Sequence, residues 1–233
     1  MITNSTYTKC PKCGAIHSYT EIVSEKTTGV ELWSDGFMMT PLRLDIIKFG
    51  KCPACNTFFW LQENSIQAPA NLTEITNLEN SWSIDTISSK EFDFIKEAFR
   101  SGLADTPEKE IVIRINLWHT INHIIRKYDS QGVFQKIKQK FFETAEYKEA
   151  LKHYNANSSI KINNLIRIVN LLKTDKTDFA NYLLFAEIYR ELGDFSKCMV
   201  FCYKAETSSR ADSHRIELLK QHITSKNKMA YKI

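Results

Sequence analysis

Cys10-Pro11-Lys12-Cys13-Gly14 and Cys52-Pro53-Ala54-Cys55-Asn56 repeat one short pattern, with 38 residues between the two cysteine pairs. A two-residue spacer lets one tight turn present two thiolates to the same ion, and two such turns complete a tetrahedral zinc shell with sulfurs about 2.3 Å from the metal. The chain must leave each turn with positive φ. Gly14 does so at no steric cost, and Asn56 is among the few other residues that tolerate it. The pattern predicts one structural zinc ion held by Cys10, Cys13, Cys52 and Cys55.

Other uses of four cysteines fit less well. A catalytic zinc keeps one coordination position for water, which a fourth thiolate fills. A thioredoxin-type redox motif is a single CxxC opening a helix in a βαβ unit, whereas both pairs here run into strand-like sequence. A disulfide framework goes with export, and Met1-Ile2-Thr3-Asn4-Ser5 has neither a basic nor an apolar leader segment. An iron centre is a further alternative for the same donors. His17, close to the first pair, is by type a substitute ligand.

Outward from the cysteines, residues 7 to 62 are short-period, β-prone and turn-rich. Tyr19-Thr20-Glu21-Ile22-Val23 alternates, and Gly29-Val30-Glu31-Leu32-Trp33 with Ser34-Asp35-Gly36 and Phe37-Met38-Met39 reads as a hairpin closed at Asp-Gly. Thr57-Phe58-Phe59-Trp60-Leu61 is a further strand. Sixty such residues make only a small core, so a bound metal is expected to supply the missing stability. Residues 66 to 87 read as a polar connector.

From residue 88 the period lengthens to that of a helix. Ser88-Ser89-Lys90-Glu91 offers an N-cap, Phe92, Ile95, Ala98 and Phe99 share a face, and Gly102 supplies a stop. Thr106-Pro107 opens a longer helix with the stripe Ile111, Ile115, Trp118, Ile121 and Ile125. Helical patterns follow near 133–154, 159–173, 178–192, 195–207 and 210–225. The fold class expected is α+β: a zinc-ribbon-like β module over 1–65, the connector at 66–87, and an all-α domain of helical hairpins over 88–233.

The stretch from Phe179 to Arg210 resembles a tetratricopeptide repeat, on Tyr182, Phe185, Ala186, Tyr189, Gly193-Asp194-Phe195, Cys198 and Ala205. Small residues let its two helices approach while aromatics fill the gaps between units. It departs from the pattern at Cys198 and Cys202 and in lacking a terminal proline. With Trp33-Ser34-Asp35-Gly36 between the cysteine pairs and Trp118 in the long helix, the chain as a whole resembles a group of uncharacterised bacterial zinc-ribbon proteins with tetratricopeptide-like helices. That resemblance implies an architecture and neither a reaction nor a substrate.

Other residues carry less chemistry. His119 and His123 share a helix face, but Thr120-Ile121-Asn122 between them lacks the glutamate of a metalloprotease helix, so they read as packing or surface histidines. Cys198 and Cys202 read as small buried hydrophobes. No phosphate loop or nucleophile elbow occurs, and no run of 18 apolar residues suggests a membrane span. The expectation is a non-enzymatic, cytoplasmic protein.

Charge bears on partners. Residues 1–70 carry six basic and six acidic side chains, so four thiolates with one zinc ion leave that region at −2. A phosphate-binding surface needs a positive excess, and the excess lies elsewhere: residues 131–233 carry 18 basic and 11 acidic side chains, a net +7. The function expected is therefore a protein-protein interaction adaptor or scaffold, with the helical repeats as docking surface and Trp33 and Phe37 either as exposed aromatic contacts on the zinc module or as cover for its small core. The alternative is a nucleic-acid-binding regulator using the zinc module and the basic helices, including Lys136 and Lys140.

Overall fold

The structure is a computed structural model, which describes residues 2–24, 31–39, 48–67, 76–77, 89–129, 145–172, 179–208 and 213–233. Almost all of the expected connector, Ser88, Lys136 and Lys140 and the first part of the 133–154 helical pattern lie outside them. The chain divides into two compact units: Met1–Val30 with Thr40–Ile113, and Glu31–Met39 with Arg114–Ile233. The fold is α+β, and among the described residues it is mostly helical.

In the first unit, β1 (Ile2–Lys9) and β2 (Ile16–Ser24) pair antiparallel, with Lys9 opposite Ile16, so the first cysteine turn is the tip of their hairpin. The two-residue strands β7 (Ser65–Ile66) and β8 (Thr76–Asn77) flank them in a sheet ordered β7-β1-β2-β8. A second antiparallel hairpin, β5 (Phe49–Lys51) with β6 (Phe58–Trp60), carries the other cysteine turn at its tip. All three residues of β6 are buried, because one face meets the metal-side core while the other meets α1 (Ser89–Arg100). Phe94 of α1 stacks on Phe49 at 6.1 Å and lies 5.0 Å from Phe58. Ile95 and Ala98 are fully buried beneath it, as their spacing predicts. Trp60 Nε1 donates to Leu103 O at 3.1 Å, which ties the end of α1 to the hairpin.

The second unit is built on α2 (Pro107–Asp129, of which Arg114 onward belongs here), α3 (Ala145–Ala156), α4 (Ser158–Leu172), α5 (Phe179–Leu192), α6 (Phe195–Glu206) and α7 (Ser213–Thr224). Its core gathers Trp118, Leu165, Ile168, Ile188, Cys198, Cys202 and Leu219 around the α5–α6 hairpin. Ala186 and Ala205 are both fully buried, and Phe201 stacks against Phe185 at 4.9 Å and Tyr189 at 5.5 Å. Gly193 turns the corner at φ +82°, and Asp194 caps α6 by accepting from Lys197 N at 3.1 Å. Cys198 and Cys202 are core residues, as read from the sequence.

One expectation is overturned here. Trp33 and Phe37 are not exposed contacts on the zinc module: they are 0% and 3% exposed and pack with Ala230 inside the helical unit. Strands β3 (Glu31–Leu32) and β4 (Met38–Met39) do form the expected hairpin across Asp35-Gly36, with Gly36 at φ +81°. The physical reason for the reversal is that an aromatic-rich turn with an internal charge finds both an apolar wall and a counter-ion among the helices.

Candidate metal centre

The two cysteine turns fold identically. Cys10 N donates to Ala15 O at 2.9 Å and Gly14 N to Cys10 O at 3.0 Å; Cys52 N donates to Thr57 O at 2.9 Å and Asn56 N to Cys52 O at 2.8 Å. Gly14 and Asn56 leave the turns at φ +76° and +58°, the left-handed exits that their residue types allow. The two turns bring their sulfurs together across the hairpins.

The four sulfurs lie within 4.8 Å of one another, and the cross-hairpin pairs Cys10–Cys55 and Cys13–Cys52 are each 3.6 Å apart. All six cysteines of the chain are free of disulfides. A tetrahedral zinc shell with bonds near 2.3 Å sets sulfur-sulfur separations of about 3.8 Å, so the donors fit one metal ion with little rearrangement. Cys10 and Cys52 are buried while Cys13 is exposed, and Phe59, Leu61, Ala15 and Tyr19 pack behind them.

The surroundings split the thiols. Burial pushes the Cys52 thiol up to about 12, whereas the Thr57 hydroxyl, 3.3 Å from Cys55 Sγ, brings Cys55 down to about 6. His17 is not among the clustered donors but stands directly behind them: fully buried, its Nε2 is 3.3 Å from Cys52 Sγ. A ring N–H in that position donates to the ligand sulfur and orients it, which is the usual part of a residue just outside a metal shell.

A second polar assembly, which periodicity did not reveal, lies wholly within the helical unit. Arg126 of α2 pairs with Asp35, both side chains fully buried, and its guanidinium sits 4.1 Å from the Phe37 ring centroid. Asn122 Nδ2 donates to Asp35 Oδ2 at 2.7 Å and to Glu191 Oε1 at 3.0 Å. Glu191 also takes Trp118 Nε1 at 2.9 Å and Lys161 Nζ at 2.6 Å. Ser34 Oγ donates to Glu187 Oε1 at 2.5 Å, and Arg190 binds the same carboxylate through two nitrogens at 2.6 and 2.9 Å. Burial opposes the charge of Asp35, and Arg126 with His119 and Asn122 outweighs it, so the carboxyl lies below its ordinary 3.8. Burial lifts Glu191 above the usual carboxylate range despite Lys161. His119 and His123 serve packing here: both meet Phe37 edge-on, at 5.4 and 5.6 Å, and His119 Nε2 donates to Asp35 O at 3.1 Å.

Comparison with family models, curated proteins and solved structures finds no match to this chain. No helix among the described residues is long and apolar enough to cross a membrane.

Proposed function

We propose that the chain is a non-catalytic docking protein in which one structural zinc ion pins the two N-terminal hairpins and the helical unit receives a protein partner. The observation that carries this reading is the apolar outer face of α4. Ile162 and Ile166, one turn apart on the same face, are 45% and 46% exposed, where a single exposed apolar residue would be unremarkable but a pair on one face supports a contact surface. Helix α4 has no acidic residue, and residues 131–233 carry a net +7, so the partner fitted to this face is a peptide or helix with an apolar stripe and acidic flanks.

Zinc is the metal favoured by four thiolates at tetrahedral spacing, and with all four positions filled by protein the ion holds structure rather than substrate. The α5–α6 hairpin supports a tetratricopeptide-like reading through its buried alanines and stacked aromatics. Free cysteines suit a reducing, cytoplasmic setting.

The test pairs a partner with a surface. Proteins crosslinked to the tagged full-length chain in its host are identified, and the leading partner is titrated against wild type and an Ile162→Asp/Ile166→Asp variant. The reading expects at least a tenfold loss of affinity with unchanged metal content and helicity. Submicromolar binding of DNA or RNA at about 0.15 M salt, falling steeply with added salt, would instead favour the nucleic-acid reading that the basic excess permits.

A further inference from the structure

The segment between the two cysteine pairs does not end up where its sequence neighbours do. Residues Glu31–Met39 fold into the helical unit, although residues on both sides of them belong to the first unit. Their attachment is unusually polar for so deeply buried a turn. Trp33, Ser34, Asp35 and Phe37 are all at most 3% exposed. Three separate parts of the helical unit grip them, and Arg215 of α7 adds a fourth hold through Nη2, which donates to Ser34 O at 3.3 Å. From α2, Arg126 pairs with Asp35, Asn122 donates to its Oδ2 at 2.7 Å and His119 to its carbonyl at 3.1 Å. From α5, Glu187 accepts from Ser34 Oγ at 2.5 Å and is itself held by Arg190. From the C-terminal residues, Trp33 bridges Lys232, Ser34 N donates to Tyr231 O at 2.9 Å, and Ile233 N donates to Leu32 O at 2.8 Å. Arg190 fastens that third part in turn, through Asn227 O and through Met229 O at 2.9 Å.

The geometry points to a clasp: the Trp33–Phe37 turn is a strap locked into the helical unit by the buried Asp35–Arg126 pair, and it stays locked when the metal is lost. Two features argue for a lock rather than ordinary core. A buried ion pair adds little stability over an apolar one but fixes a single register, because a misplaced partner leaves an uncompensated charge. The turn also leaves Trp33 Nε1 and Asn122 Oδ1 buried without hydrogen bonds, so its position is dictated by the ionic contacts and not by satisfying every polar atom. Metal release then becomes a local event, opening the cysteine turns while the strap and the helical surface persist. The chain would carry two independent fastenings, one chemical and exchangeable at the cysteines, one ionic and fixed at Asp35. This inference does not rest on the docking reading, and its test involves no partner.

Hydrogen exchange on the full chain reads the clasp directly. The Trp33 amide donates to Phe37 O and the Ser34 amide to Tyr231 O, both at 2.9 Å, so peptides spanning 31–39 report its closure. Chelation of wild-type protein is expected to speed exchange at least tenfold in peptides spanning 10–15 and 50–58 and to leave 31–39 within about twofold of the metal-bound rate. Asp35→Asn is expected to do the reverse, raising exchange at 31–39 at least tenfold while retaining about one equivalent of metal. Ser34→Ala, which removes the bond to Glu187 and the one that Ser34 Oγ accepts from Tyr231 N at 3.1 Å, should give a smaller rise at the same peptide and serves if Asp35→Asn does not fold. The proposal is overturned if chelation releases 31–39 together with the cysteine turns. It is equally overturned if folded Asp35→Asn, or Ser34→Ala in its place, keeps wild-type protection there.

Discussion

Arg126 closes on Asp35 across 91 positions of sequence, and neither side chain exposes any surface to solvent. The pair spans the β3–β4 turn and the last turns of α2, with Asn122 bridging it to Glu191. Removing one partner strands a charge in the interior, whereas removing both leaves an apolar contact. The two operations should therefore differ sharply.

Arg126→Met alone is expected to destabilise the helical unit by about 3 to 5 kcal/mol, and Asp35→Leu/Arg126→Met to regain most of that loss. Denaturant melts followed by helical circular dichroism measure both. Additive losses in the double variant would show that the pair is not coupled.

Elemental analysis of purified protein is expected to give about one zinc per chain, and Cys13→Ser or Cys55→Ser to lose it. In those variants the β signal of the first unit should be lost while the helical signal of the second survives. A metal-free chain with an intact first unit contradicts the assignment of the four cysteines.

Metal affinity should weaken as pH falls. Cys52, pushed up to about 12 by burial, is a thiol at neutral pH and must give up its proton to bind; Cys55, at about 6, is already ionised there. Competition from Cys52 thus acts across the neutral range, and below about 6 protonation of Cys55 adds to it, so the fall should steepen. A chromophoric chelator titrated between about pH 5 and about pH 8 reads the slope; a pH-independent affinity would refute the thiol assignment.

His17→Ala should retain the stoichiometry yet weaken metal binding by about 10- to 100-fold, since the ring orients Cys52 without being a ligand. Complete loss of metal would make His17 a ligand after all, and an unchanged affinity would make it simple packing.

Ala186→Leu should cost about 1 to 3 kcal/mol by forcing α5 and α6 apart, because Ala186 is fully buried in the core that both helices share. Lys197→Leu, on the exposed side of α6, should cost little. Equal effects at the two positions would mean that the helix faces are reversed.

The cysteine centre was legible in the sequence because its geometry is local: CxxC spacing, followed by Gly14 and Asn56, dictates a turn whose shape depends on a few successive residues. The same holds for the helical hairpin at Gly193-Asp194, where cap, turn and small residues are adjacent in the chain. The helical stripe on α2 predicted Trp118 and Ile121 as core, yet periodicity assigned no burial to Asn122 or Arg126, because polar residues satisfy a hydrophobic pattern only by facing outward.

What the tertiary structure alone decided is where the Trp33–Phe37 turn resides. Its local signals specify a hairpin and are silent on which surface covers it. The answer depends on Arg126, Glu187 and the C-terminal residues, each distant in sequence, converging on one charge and one indole. A carboxylate can be buried only where a counter-charge and donors already wait, so the destination of Asp35 is a property of the assembled helices and not of the turn that bears it.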